Sequence, residues 1–446
     1  MTVTLDMLGP AHGGSTVARL DGEDGRVVFV RGALPGETGV PVELDTDPET
    51  SRKRFLTGAV TDPAAITGPS AHRVGPQCPT AVLGAGCCDL DVIDAEGSAE
   101  LKTRVVLDQF TRIGHIDLTG SGVPVHQLSP APFTGYRTRV RLGVDDHGQA
   151  GIRRRGSNGI VPVSEATCAQ WAPEVADGLA EVLAEAELTP GSEICVAVGE
   201  DGLRGIVEVP AARPANPRSR SNRRRCAPKS KRQVVQRRVI EHQGSSEPGT
   251  VTRTVDGVSW PMPVEAFWQA HGAAAELYAG WVRDTVAGVP GPTSAWDLYG
   301  GAGVFAAALT EALPGTSVYS VDGASDATAA GRTVLADRDV HFVTGDVAKA
   351  LGDLADADPG VVVLDPPRTG AGAPVVEAIV ARAPQHVLHI GCDPATAARD
   401  AAGVIAGGYR PESVTVVDAF GLTHHVEVLV HYTRQAAGDD GEPVTP

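Results

Sequence analysis

Between residue 1 and about residue 66 the chain alternates apolar and polar positions in short runs separated by glycine-rich turns. "STVARLDG", "GRVVFVRG", "TGVPVELDT" and "KRFLTGAVTD" each carry a period of two, which on a pleated backbone sends successive side chains to opposite faces. Short strands at this spacing predict a small β-barrel. From about 67 to 255 the pattern is mixed, with a helical stretch "AEGSAELKTRVVLDQFTRIG" and strand-like "YRTRVRLGV" and "SEICVAVGE". From 256 to 446 the texture changes again. Apolar runs such as "AWDLYGGAGVF", "SVYSVDG", "VHFVTGD", "GVVVLDPPR" and "QHVLHIGCDP" alternate with Ala-rich helical stretches. That alternation predicts an α/β unit with a doubly wound sheet, in which ligands bind beyond the carboxyl ends of the strands.

A chain of 446 residues is too long for one hydrophobic core, and the three textures give three domains with boundaries near 66 and 255. No long uncharged apolar run is present, so no transmembrane helix and no membrane partner are expected. The start, "MTVTLDMLGP", lacks a basic segment followed by an apolar core. Seven cysteines, an odd number scattered over the chain, do not form a disulfide framework. A cytoplasmic protein with reduced thiols is the simplest expectation.

The net charge of −17 opposes nonspecific attraction to nucleic acid, but the charge is uneven. From Arg213 to Arg238 the run "RPANPRSRSNRRRCAPKSKRQVVQRR" holds eleven Lys or Arg and no acid. A basic block in an acidic chain is either a nucleic-acid footprint or a solvated linker. Arg137, Arg139 and Arg141 fall on one face of the strand "YRTRVRLGV" and offer further phosphate contacts.

The chemistry gathers at the strand ends of the last domain. "DLYGGAGVF" reads as strand, glycine turn and helix start, and glycines there let a ligand approach the backbone. Such a turn alone is shared by many nucleotide folds. The next strand ends at Asp322, where an acid can bind ribose hydroxyls, and "TGD" supplies Asp346, placed to face an adenine amino group. "VVVLDPPR" runs a buried strand into Asp365 and two prolines, a rigid turn without backbone donors. One strand later stands Cys392, in "HIGCDPATAARD".

Together, "DLYGGAGVF", "LDPPRTGAG", "HIGCDPATAARD" and "DAFGLTHHVEVLV" resemble the RNA uridine 5-methyltransferase family. "GGSTVARLDG" and "VRGALPGE" are similar to the TRAM RNA-binding barrel common there. The resemblance implies a Rossmann-like class I methyltransferase domain, preceded by an OB-like TRAM barrel and a central α+β domain, with S-adenosylmethionine as cofactor. It implies Cys392 as nucleophile toward carbon 6 of uracil, Glu427 as the base that removes the carbon 5 proton, and Gln269, Tyr299, Asp322 and Asp365 as contacts to cofactor or base, to which the strand-end reading adds Gly301 and Asp346 as cofactor contacts. Carbon 5 is a poor nucleophile in the intact ring, and thiolate addition activates it. Three residues depart from frequent family choices: Gly300 for a Cys, Val304 for an Asn and Asp322 for a Glu.

The resemblance extends to the cysteines. Relatives with a [4Fe–4S] cluster carry a C-x5-C-x2-C run and a distant fourth cysteine; here "CPTAVLGAGCCDLD" gives Cys78, Cys87 and Cys88, with Cys168 following. Four thiols suffice in number for a cluster, but the spacing differs and two of them are adjacent. Cys195 reads as strand core and Cys226 as part of the basic block. The implied partner is ribosomal or transfer RNA with its target base flipped or single-stranded, and a monomer suits so large and asymmetric a substrate. A protein that only bound RNA, such as an assembly factor, would need neither Cys392 nor Glu427.

Overall fold

A computed structural model of the chain describes residues 1–20, 25–210, 236–244, 247–354 and 358–435. Cys226 and nearly all of the basic block lie outside the described residues. The amino-terminal alternation folds as expected. Six strands between Thr2 and Val60 form one curled sheet. Leu5, Val28, Val30, Val40, Val42 and Leu56 point inward from alternate positions.

The catalytic layer is an eight-stranded sheet. Its strands, in chain order, are β1 (Val125–Leu128), β2 (Ser294–Leu298), β3 (Ser317–Asp322), β4 (Val340–Thr344), β5 (Val361–Leu364), β6 (His386–Gly391), β7 (Tyr409–Val417) and β8 (Glu427–Arg434). Across the sheet the order is β4-β3-β2-β5-β6-β8-β7-β1. The first five of these run parallel, while β8 is antiparallel to both β6 and β7. Chain order reverses beside β2, and that switch opens the crevice at the carboxyl ends. Burial explains the apolar runs: all of Val361–Leu364 is buried, as a strand covered by helices on both faces must be.

Two pieces of the 67–255 segment pack with this layer. β1 pairs in parallel with β7 at the sheet's edge. Helix Ala95–Arg112 lays Val106 and Phe110 into the same core as Val404 and Tyr409. The rest of the central region is a second six-stranded sheet carrying Arg139–Val144 and Ser192–Val198. Cys195 is buried in the latter strand, as its pattern predicts. A hairpin, Thr250–Val255 with Val258–Pro263, leads into the catalytic layer. Its Trp260 is fully buried and donates its indole N–H to the Ala302 carbonyl at 2.9 Å, anchoring the glycine turn from outside. No helix among the described residues is long and apolar enough to cross a membrane.

Candidate active site

The parallel strands deliver their carboxyl ends to one cavity of about 670 Å³. β2 runs into Tyr299, whose backbone takes the left-handed conformation (φ 61°) that a tyrosine adopts only under constraint. Gly300 follows, and a Cβ there would strike the Asp297 carboxylate and the Ser320 hydroxyl. In this chain the absence of a side chain at residue 300 lets Asp297 and Ser320 pack directly beneath the turn. Gly301 donates its N–H to Asp322 Oδ2 at 3.0 Å, and Ala324 donates to Oδ1 at 2.6 Å, so the carboxylate at the end of β3 is fixed by backbone.

β5 ends at Asp365, and the two prolines turn the chain beside β6. Cys392 stands just past β6, and its thiol points at the Pro366 carbonyl, 3.9 Å away. Gly391 is in register with Val428 across the β6–β8 ladder. That pairing is the last of the ladder: Cys392 follows Gly391, Glu427 precedes Val428 at the start of β8, and Glu427 is among the groups that raise the Cys392 thiol.

Of the residues singled out in the sequence, Gln269, Tyr299, Gly301, Asp322, Asp365, Cys392 and Glu427 all line this cavity. Asp346 is not in the lining; its carboxylate caps helix Val347–Asp353 by accepting from the Lys349 N–H. Arg137 and Arg139 reach the cavity, whereas Arg141 pairs with Glu193 at 3.0 Å. The lining also holds residues to which no role was attached, above all Arg368, His425, Phe420 and the 74 % exposed Phe267. Arg368 donates to His425 Nε2 at 3.1 Å. Burial holds His425 down to about 3, so the ring is neutral and accepts that proton. The sequence signal for Arg368 was faint: one basic residue closing a buried, acidic turn.

The electrostatics are those of a site with surplus negative charge. Burial, followed by Glu427 and Asp365, pushes the Cys392 thiol up to about 12, and Arg368 opposes them. Glu427 is fully buried and raised well above the usual carboxyl range, first by burial and then by Asp365, with one carboxyl oxygen unpartnered. Burial and the neighbouring Asp297 raise Asp365 to about 7. At rest the thiol and Glu427 are both protonated.

A second cluster lies in the central region. Cys78, Cys87, Cys88 and Cys168 bring their sulfurs within 4.8 Å of one another. The loop that carries three of them touches the catalytic layer directly, since Asp89 accepts from the His424 N–H at 3.0 Å and Leu90 donates to the Leu422 carbonyl at 3.0 Å.

No family model matches the chain. An RNA methyltransferase of Corynebacterium efficiens, itself described as uncharacterized, is 40 % identical over 444 residues, covering 98 % of this chain and 96 % of that protein. The 23S rRNA (uracil(1939)-C(5))-methyltransferase of Halomonas elongata is 29 % identical over 464 residues, covering 96 % and 88 %. The chain belongs to the same family of RNA methyltransferases as its Corynebacterium efficiens relative. Its fold agrees: the Pyrococcus abyssi tRNA (uracil-54, C5)-methyltransferase, solved with S-adenosyl-L-homocysteine, superposes with a TM-score of 0.65 at 19 % identity, over 97 % of this chain and all of that one. This RNA methyltransferase therefore carries the class I methyltransferase fold that the family resemblance implies.

Proposed function

We propose that this enzyme methylates carbon 5 of a uridine in RNA, with S-adenosylmethionine as methyl donor, through a covalent bond between Cys392 and carbon 6 of the base. The observation that carries this reading is that the Cys392 thiol and the buried Glu427 carboxyl line one cavity, close enough for Glu427 to raise the thiol. The glycine turn and the backbone-fixed Asp322 leave a polar, close-approach wall suited to the adenosyl part of the cofactor. Bound there, S-adenosylmethionine supplies an electrophilic methyl group on a cationic sulfur.

That positive charge suits a site where burial raises Cys392, Glu427 and Asp365 above their ordinary ranges. A cation placed beside Cys392, Glu427 and Asp365 lowers their proton affinities together. Cys392 then adds as thiolate to carbon 6, and the ring becomes an enolate nucleophilic at carbon 5. After methyl transfer Glu427, as carboxylate, takes the carbon 5 proton, and the electrons left behind expel the thiolate. Arg137 and Arg139 at the cavity wall offer cations to the phosphates of a nucleotide turned in from its RNA.

The relatives' names point to two RNA classes, and the test separates them. Radiolabelled S-adenosylmethionine is mixed with unmodified ribosomal RNA or transfer RNA, and the labelled nucleoside is identified after digestion. We expect 5-methyluridine from one class and none with Cys392→Ala. With Glu427→Gln a protein–RNA adduct stable to denaturing gels should accumulate, because addition proceeds and release does not. Methyl transfer that survives loss of Cys392 would overturn the proposal.

A further inference from the structure

The family resemblance implies a [4Fe–4S] cluster at the four cysteines, and their geometry does not fit one. Cys78 Sγ lies 3.7 Å from both Cys87 Sγ and Cys168 Sγ, and Cys88 Sγ lies 3.6 Å from Cys168 Sγ. Thiolates sharing one tetrahedral ion at bond lengths of about 2.3 Å stand about 3.8 Å apart. An iron–sulfur cube instead puts a separate iron under each thiolate, with sulfides between, and spreads the ligands well beyond that spacing.

We propose that Cys78, Cys87, Cys88 and Cys168 bind a single tetrahedral soft divalent ion, zinc by the chemistry of four thiolates, in place of an iron–sulfur cluster. The surroundings are built for such a site. Cys78, Cys88 and Cys168 are buried. Gln170 donates its amide N–H groups to Cys88 Sγ at 3.1 Å and to the Cys87 carbonyl at 2.7 Å, and Thr80 Oγ1 lies 3.1 Å from Cys78 Sγ. N–H donors to bound thiolates orient them and offset their charge. The same Gln170 accepts from Arg137 Nε at 3.0 Å through its other end. The ion thus ties the cysteine loop to residues 168–170 and, through Gln170, holds Arg137 at the cavity wall.

The test is elemental analysis of the full-length protein, purified without added metal and kept reduced, together with an assay for acid-labile sulfide. We expect one zinc per chain and no sulfide, with zinc lost in Cys168→Ser and retained in Cys195→Ser, which changes a buried cysteine elsewhere. Cobalt exchanged into the site should give the intense visible bands of tetrahedral thiolate coordination. One iron per chain without sulfide would also support a single-ion site. Several irons with matching sulfide, or reduced wild-type protein that takes up no stoichiometric metal, would overturn the proposal; because wild type decides this, misfolding of a variant leaves the test intact.

Discussion

A single thiol carries the proposed chemistry, and its environment sets a condition on when it reacts. Burial and two carboxyl neighbours hold Cys392 up at about 12, with Arg368 as the opposing cation. The free enzyme should therefore be slow to react with a small alkylating reagent at neutral pH, the rate climbing as pH rises toward that value. A cation beside the thiol changes this, since each 1.4 kcal/mol of favourable interaction is about tenfold in thiolate. S-adenosylmethionine and S-adenosylhomocysteine differ by one methyl group and one positive charge, so they cover the thiol about equally. At saturation, alkylation of Cys392, followed by mass spectrometry, should be faster with the methylated cofactor. Equal rates would mean that the site is not poised by the cofactor's charge. Arg368→Gln should slow the reaction in the free enzyme, because it removes a cation that favours the thiolate.

The elements that hold the thiol differ in how plainly the sequence shows them. β2, β3, β5 and β6 are visible as apolar runs ending in small or acidic residues, because strands buried on both faces leave that mark. Asp365 and Cys392 stand at the ends of such runs, whereas Glu427 is singled out only by the resemblance of its flanking motif to the family. β1 is not: "VHQL" is short and mostly exposed, and only pairing with β7 makes it a strand. Nor could any local pattern reveal that Lys102, on helix Ala95–Arg112, meets Asp418 at the head of the loop leading to Glu427, 316 positions further along the chain. Both side chains are about 1 % exposed, and Ser98 donates to the same carboxylate at 2.7 Å. Removing one partner strands a buried charge. Lys102→Met should cost roughly 3–5 kcal/mol of stability, read from denaturant midpoints, and Lys102→Met with Asp418→Asn should recover part of it. If the double variant is no more stable than the single, the pair is not what fastens that loop.

At the scale of the molecule, three regions meet around one cavity. The catalytic sheet contributes the acids, and the central region lines the cavity with Arg137 and Arg139. Outside the lining, the barrel's His12 Nε2 lies 3.1 Å from Asp393, next to Cys392 in the chain, and Asp89 of the central region accepts from the His424 N–H. Collecting buried acids in this way has a cost that depends on pH. Asp297 is fully buried and, mainly through burial, held at about 7 against 3.8 in an unfolded chain. Below about 4 it is protonated in both states and makes no difference. As pH rises toward 7 the unfolded chain ionises freely while the folded one keeps its proton, so stability is lost across that window and levels off above it. At about 1.4 kcal/mol per unit the loss is on the order of 4 kcal/mol at most. Glu37 and Asp45 are shifted in the opposite sense by Arg73 and Arg31, so whole-protein curves mix both signs. The difference between variants separates them. Asp297→Asn keeps a group able to accept from Ser320 but cannot ionise. Its stability relative to wild type should therefore climb between pH 4 and 7 and stay constant above, whatever its offset at acid pH. Parallel curves would show that Asp297 ionises in the folded protein as readily as in the unfolded one, and that burial beneath the glycine turn does not hold its proton.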